Sequence, residues 1–232
     1  WLKPQPLYVV LPSWNGTSVR FRPAMLHLVF GILVTLSWLP RTAISCSFIV
    51  ANFHVESTVL SAANFLSQRR GPDATSRMDI DGWCLCHNLL WMTGEFVKQP
   101  FIERSGEDSP GAAAVFNGEI YNYKTLLPGH DFPSDGSVLL PAYREWGDDF
   151  AEHLDGEFAV VLLDFEMQKL AFVTDPFGTK PLFYGFGKHG EFAVASYRSA
   201  LTGMGLAESD TYMADPNTFY SASFEELHRF AS

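Results

Sequence analysis

Three cysteines among 232 residues, Cys46, Cys84 and Cys86, are too few for a disulfide scaffold. Cys84 and Cys86 stand two apart in an apolar, strand-like run, where they do not readily bridge each other, and no second Cys/His pair follows at ligand spacing. Both read as small buried residues, and the sequence offers no metal-ligating set. Positive charge is scarce as well: 16 Lys and Arg face 26 Asp and Glu, a formal net charge of −10. Residues 1–45 hold Lys3, Arg20, Arg22 and Arg41 and no acidic residue, so taking away those four positives leaves −14 on the remainder. So acidic a body repels phosphate backbones and, with no basic cluster beyond Arg69 and Arg70, argues against nucleic acid as a partner. There is no internal repeat, low-complexity tract, G-x-x-x-x-G-K-[ST] loop, H-E-x-x-H pair or G-x-S-x-G elbow. Gly185-Phe-Gly187-Lys-His-Gly190 has the G-x-G-x-x-G spacing, but the EFAVASY after it alternates as a strand. It supplies no helix N-terminus for a pyrophosphate and reads as a hairpin turn.

One long apolar run is present, Ala24 to Pro40, shorter than the roughly 20 residues of a membrane span. Arg20 and Arg22 precede it, and Ala43 and Ser45 set small residues at −3 and −1 of a cut before Cys46. That is the layout of a secretory signal peptide, with a buried helix or an amino-terminal anchor as the alternative. Residues 1–45 are therefore a leader-like segment, and Met25 is an alternative start. The leader implies a secretory or organellar location if it is a signal peptide, and a cytoplasmic one otherwise.

With 47% hydrophobic residues, the body can fill a core. SFIVANF after Cys46 reads as a buried strand, and ESTVLSAANFLSQRR as a helix with apolar positions at Val59, Ala62, Ala63 and Leu66. DGWCLCHNLLWM and GAAAVFN read as further strands. SDGSVLLPAYREWG reads as a helix capped by Ser134 or Asp135, stopped at Gly147 and kinked by Pro141. From Glu157 the segments EFAVVLLDFE, KLAFVTD, PLFYGFG and EFAVASY suggest an antiparallel meander. Strands interrupted by helices, without regular alternation, indicate an α+β layered domain.

Four segments then occur in one order: Arg70-Gly-Pro-Asp73, Asn117-Gly-Glu-Ile-Tyr-Asn-Tyr123, Leu154-Asp-Gly-Glu-Phe-Ala159 and Asp175-Pro-Phe-Gly-Thr-Lys-Pro181. With Cys46-Ser47 and Ser134-Asp135 they resemble the class II glutamine amidotransferase domain of asparagine synthetases, over about residues 46–203. The resemblance implies an amino-terminal-nucleophile (Ntn) hydrolase fold, a four-layer αββα sandwich of two antiparallel sheets between helices. It implies glutamine as substrate, hydrolysed through a cysteinyl thioester to supply ammonia for ATP-dependent asparagine synthesis. No cofactor is expected in this domain. ATP and Mg are expected only in a synthetase domain acting in cis or in trans, which residues 204–232 approach as a truncated linker. A homodimer is left open.

The chemistry accounts for the residue types. A carboxamide is a poor electrophile, so a thiolate is a sensible attacker and needs a base. An α-amine with a pKa of about 8 serves when it lies on the same residue, which makes Cys46 the first residue of the working chain. By the resemblance, the Asn117 side chain and the Gly118 N–H hold the oxyanion. Glu119 and Asp135 hold the substrate ammonium, and Arg70 joins the substrate-binding set. One position departs from the pattern: Leu89 stands where the family places an arginine against the α-carboxylate, and leucine cannot form that clamp. Arg70 and Lys98 are candidate substitutes. Two other readings follow from Leu89: a catalytically impaired binding or regulatory module, and an Ntn hydrolase acting on another amide.

Overall fold

The computed structural model describes residues 7–9, 45–106 and 109–229. Apart from Leu7–Val9 and Ser45, the expected leader, with its apolar run, lies outside the described residues. Two six-stranded sheets form the body. The first runs β1 (Leu7–Val9), β12 (Thr218–Ser223), β8 (Lys169–Thr174), β7 (Gly156–Asp164), β6 (Pro110–Ile120), β5 (Phe101–Arg104). The second runs β11 (Thr211–Met213), β9 (Phe183–Phe186), β10 (Phe192–Ala195), β2 (Ser47–Ala51), β4 (Trp83–Leu89), β3 (Ala74–Ile80). Every pairing is antiparallel except that of β1 with β12, which is parallel.

Period-2 alternation builds the layers, because successive side chains in a strand point to opposite faces. In β2, Phe48 and Val50 join Val115, Val161 and Phe172 in a core between the sheets. Ile49 and Ala51 point the other way, with Cys84 and Cys86, onto α1 (Ser57–Asn64) and α4 (Arg198–Gly203). In β6 and β7, Ala114, Phe116, Val160 and Leu162 face Leu139, Ala142 and Phe150, on α3 (Leu139–Trp146) and the 3₁₀ turn after it. Both faces of each sheet are therefore apolar, which gives the expected αββα stacking.

Several local expectations are corrected. In α1 the buried side chains are Leu60, Ala63 and Asn64, while Val59 and Leu66 are exposed. The face is set by α4, whose Gly203 comes so close that a Cβ there would meet Ala63 at 3.1 Å. Pro141 sits in the first turn of α3, where N–H groups have no intrahelical partner, so the expected kink has no cause. The strands after Glu157 are not one meander: β7–β8 and β9–β10 are hairpins in different sheets. Residues 204–229, expected as a linker, supply β11 to the second sheet, β12 to the first, and α5 (Phe224–Arg229).

Candidate active site

Cys46 stands immediately before β2, its thiol half-buried against the end of β4. Its Sγ accepts the Leu90 N–H at 3.2 Å and donates to the Leu90 carbonyl at 3.5 Å. Burial pushes the thiol up to about 11, aided by the charges of Asp135 and Glu119 and opposed by the Leu90 N–H and the Lys180 ammonium. The neutral thiol is therefore the resting form near pH 7.

Beneath Cys46 lies a fully bonded polar cluster. Asn88 donates to Ser47 Oγ at 2.9 Å and to Asn64 Oδ1 at 2.7 Å, and accepts from Asn64 and Thr75. The Ser47 hydroxyl in turn donates to the Ser67 carbonyl. These bonds tie the start of β2 to β4, to α1 and to the turn that follows it.

The Asn117-Gly118-Glu119 run occupies the end of β6, facing β7. Gly118 has φ +150, and a Cβ there would lie 2.0 Å from the Glu157 carbonyl oxygen. Only glycine permits that approach. Gly156 is its counterpart on β7, with a Cβ position 2.1 Å from the Glu119 carbonyl. The residue before Asn117 is held at both ends: Phe116 N–H donates to Gln99 Oε1 at 2.7 Å, and the His87 ring bonds the Phe116 carbonyl at 3.2 Å. Burial depresses His87 to about 4, so the ring is neutral and donates from Nε2. The Asn117 side-chain oxygen accepts the hydroxyl of Ser45, the residue just ahead of Cys46.

Asp135 is almost fully buried. Its Oδ2 accepts the Ile120 N–H at 3.0 Å and its Oδ1 the Gly136 N–H at 2.9 Å. Burial raises the carboxyl to about 6, with the Glu119 charge adding to the rise and the Ile120 and Gly136 bonds opposing it. Glu119 accepts the Thr93 hydroxyl. Cys46, Gly118, Glu119, Asp135 and Leu89 share one small pocket of about 30 Å³, room for about one water. Among the described residues, no Lys or Arg lines it.

Arg70 does not line this pocket; its guanidinium lies over the Tyr197 ring, 5.4 Å from the centroid. Lys98 is exposed and also outside it. The Asp175-Pro-Phe-Gly-Thr-Lys-Pro segment carries the chain from one sheet to the other. There Asp175, fully buried, accepts N–H bonds from Phe158, Phe177 and Thr179 and the Thr179 hydroxyl. A larger cavity of about 600 Å³ lies beyond the far end of β2 from Cys46 and contains none of the expected site residues. Sequence reasoning missed Gln99 and His87. His87 had a signal in its place within an otherwise apolar strand, whereas Gln99 had none.

The chain matches the family model described as a glutamine amidotransferase domain over residues 44–228. It is 34% identical over 170 residues to asparagine synthetase [glutamine-hydrolyzing] 3 of Arabidopsis thaliana, covering 70% of this chain and 28% of that protein. It is 32% identical over 167 residues to the asparagine synthetase [glutamine-hydrolyzing] of Rattus norvegicus, covering 68% of this chain and 29% of that one. The chain thus spans under a third of the length of these relatives. Among solved structures it is similar to the glutamine phosphoribosylpyrophosphate amidotransferase of B. subtilis, with a TM-score of 0.58 and 19% identity, covering 77% of this chain and 49% of that one. A second, described as the allosteric regulatory enzyme of purine biosynthesis, matches with a TM-score of 0.59 and 18% identity, over the same shares of the two chains. At such identities the likeness establishes the Ntn amidotransferase fold, and the family model establishes descent: the chain belongs to the glutamine amidotransferase domain family.

Proposed function

We propose that the chain, once cut before Cys46, hydrolyses glutamine through a Cys46 thioester and that the released ammonia serves asparagine synthesis by a synthetase domain in cis or in trans. The observation that carries this reading is the convergence of Cys46, Gly118, Glu119 and Asp135 on one pocket, with Asn117 reached through Ser45. Removal of residues 1–45, as a secretory or organelle-targeting leader, is part of the proposal. It would free the α-amine of Cys46, open the space taken by Ser45 and release the Asn117 amide to donate through Nδ2.

The thiol then passes its proton to the α-amine as Sγ attacks the carboxamide carbon. The oxyanion forms against Asn117 Nδ2 and the Gly118 N–H, donors each worth about 2.7 to 4 kcal/mol in such sites. Collapse expels ammonia with the proton returned from the amine, and water cleaves the thioester to glutamate. Glu119 and Asp135 hold the substrate ammonium. The names of the relatives favour glutamine over another amide and activity over a binding role alone.

The test is ammonia release from glutamine by protein beginning at Cys46, against Cys46→Ala and against the uncut chain. Activity is expected only in the first. Equal release by Cys46→Ala, or none by any form, overturns the proposal.

A further inference from the structure

A lysine from one sheet and a glutamate from the other form an ion pair whose charge reaches the nucleophile. Glu119 in β6 and Glu157 in β7 are register partners in the first sheet, and like charges placed directly opposite, with Cβ atoms about 5 Å apart, repel. Lys180, just ahead of β9 in the second sheet, donates from Nζ to Glu157 Oε1 at 3.1 Å. Burial dominates the upward shift of the Cys46 thiol; the charges of Asp135 and Glu119 add to it, and that of Lys180 opposes it. Glu119 and Asp135 line the Cys46 pocket and Lys180 does not, so the ammonium acts on the sulfur through its field rather than by contact.

The backbone on both sides of this pair is held by one carboxylate oxygen. Asp175 Oδ2 accepts the N–H of Phe158, next to Glu157, at 3.1 Å and the N–H of Thr179, next to Lys180, at 2.9 Å. The turn between them is fixed further at Gly178, with φ +60, where a Cβ would meet Pro216 Cγ at 2.9 Å. The two side chains remain partly open to solvent, 17% for Lys180 and 33% for Glu157, and an ion pair so placed adds little stability. A fixed cation near a cysteine acts instead on the reacting atom, because it favours sulfur in its anionic form. Glu157 shares that cation, so it sets how much of the positive charge the sulfur feels.

We infer that Lys180 is a positioning residue for Cys46: bonded to Glu157 across the two sheets, its ammonium offsets the acidic wall of Glu119 and Asp135 and favours the sulfur in the form that attacks. The inference deepens the glutaminase reading and rests on it for its role in turnover, but its first test needs no hydrolysis. In the full chain, the rate of Cys46 alkylation at pH 8 is measured by peptide mass spectrometry with iodoacetamide, a neutral reagent that the charges do not steer. Lys180→Met is expected to slow it roughly 3- to 10-fold. Glu157→Gln, which frees the ammonium from its partner, speeds it, and the double variant returns toward the unaltered rate, as does Lys180→Arg. An ion pair with a structural role alone would make the two single variants alike. Single variants that shift in the same direction, or a Lys180→Met rate equal to that of the unaltered chain, overturn the inference. Should Lys180→Met fail to fold by circular dichroism, Glu157→Gln decides: alkylation no faster than in the unaltered chain overturns it. In protein beginning at Cys46, kcat for glutamine falls in Lys180→Met and recovers in the double variant, while KM does not rise, because Glu119 and Asp135 remain; a raised KM with unchanged kcat overturns the role in turnover. Absence of hydrolysis by the unaltered protein defeats the glutaminase reading alone, and the alkylation rates still decide whether Lys180 acts on the thiol.

Discussion

If Asp135 holds the substrate ammonium as proposed, its raised carboxyl should make glutamine binding pH-sensitive. Its carboxyl is raised from 3.8 to about 6 by burial and by the Glu119 charge. A group whose native pKa is raised contributes stability that is fully present below the unfolded value and lost as pH rises through the native one. Two pKa units correspond to about 3 kcal/mol, so by pH 7 the folded chain carries that much strain in an ionised, nearly buried carboxylate. An ammonium placed beside it relieves the strain, which links substrate binding to the ionised form. At pH 5 only about one carboxyl in ten is ionised for a pKa of about 6. Glutamine's own ammonium and carboxylate do not titrate between pH 5 and 7. Glutamine affinity is therefore expected to fall about tenfold from pH 7 to pH 5, or roughly 1.4 kcal/mol. The assay is calorimetric titration of Cys46→Ala protein beginning at residue 46, which binds without turnover, alongside the same protein carrying Asp135→Asn. The second is expected to bind weakly at pH 7 and to show no step. Urea unfolding of the two from pH 4 to 7 should separate by the same group, the unaltered aspartate losing up to about 3 kcal/mol more as pH rises. Superimposable pH profiles with and without the Asp135→Asn substitution, in both assays, refute the reasoning.

Gly118→Ala forces a Cβ to within 2.0 Å of the Glu157 carbonyl oxygen at φ +150. It should cost at least about 3 kcal/mol in urea unfolding, combining backbone strain with lost β6–β7 ladder bonds; a loss under about 1 kcal/mol contradicts the packing. Gln99→Leu strands the buried Phe116 N–H and should cost about 1 to 3 kcal/mol, with a lower kcat for glutamine because Asn117 loses its neighbour's anchor; unchanged stability and kcat speak against that role. Leu89→Arg adds a cation to a pocket lined, among the described residues, by Glu95, Glu119 and Asp135 and by no Lys or Arg. If the α-carboxylate meets this wall, the glutamine KM should fall roughly 10- to 100-fold, the effect of a charged hydrogen bond; a KM that rises or stays constant places the carboxylate elsewhere.

What the sequence determined by itself is whatever depends on residues close together in the chain. The continuous apolar runs in SFIVANF, EFAVVLLDF and KLAFVT mark strands apolar on both faces, which requires layers above and below each sheet. The Asn117-Gly118-Glu119 run and the small residues ahead of Cys46 are the sequence signals from which the oxyanion pocket and the cut are proposed, because each role demands a particular residue type. β3, β5, β11 and β12 were not legible: β3 and β5 show mixed or partial burial, and β11 has only three residues. Periodicity shows which way a side chain points and says nothing about its partner strand, so β9–β10 read as a continuation of β7–β8 although the Asp175 turn sends it to the other sheet. Only the tertiary structure decided that Arg70 rests on Tyr197 away from the pocket, that Ser45 bonds Asn117, and that Gln99 and His87 grip Phe116. Each of these contacts joins residues 17 or more positions apart, and such pairs are selected when the two sheets close over one core.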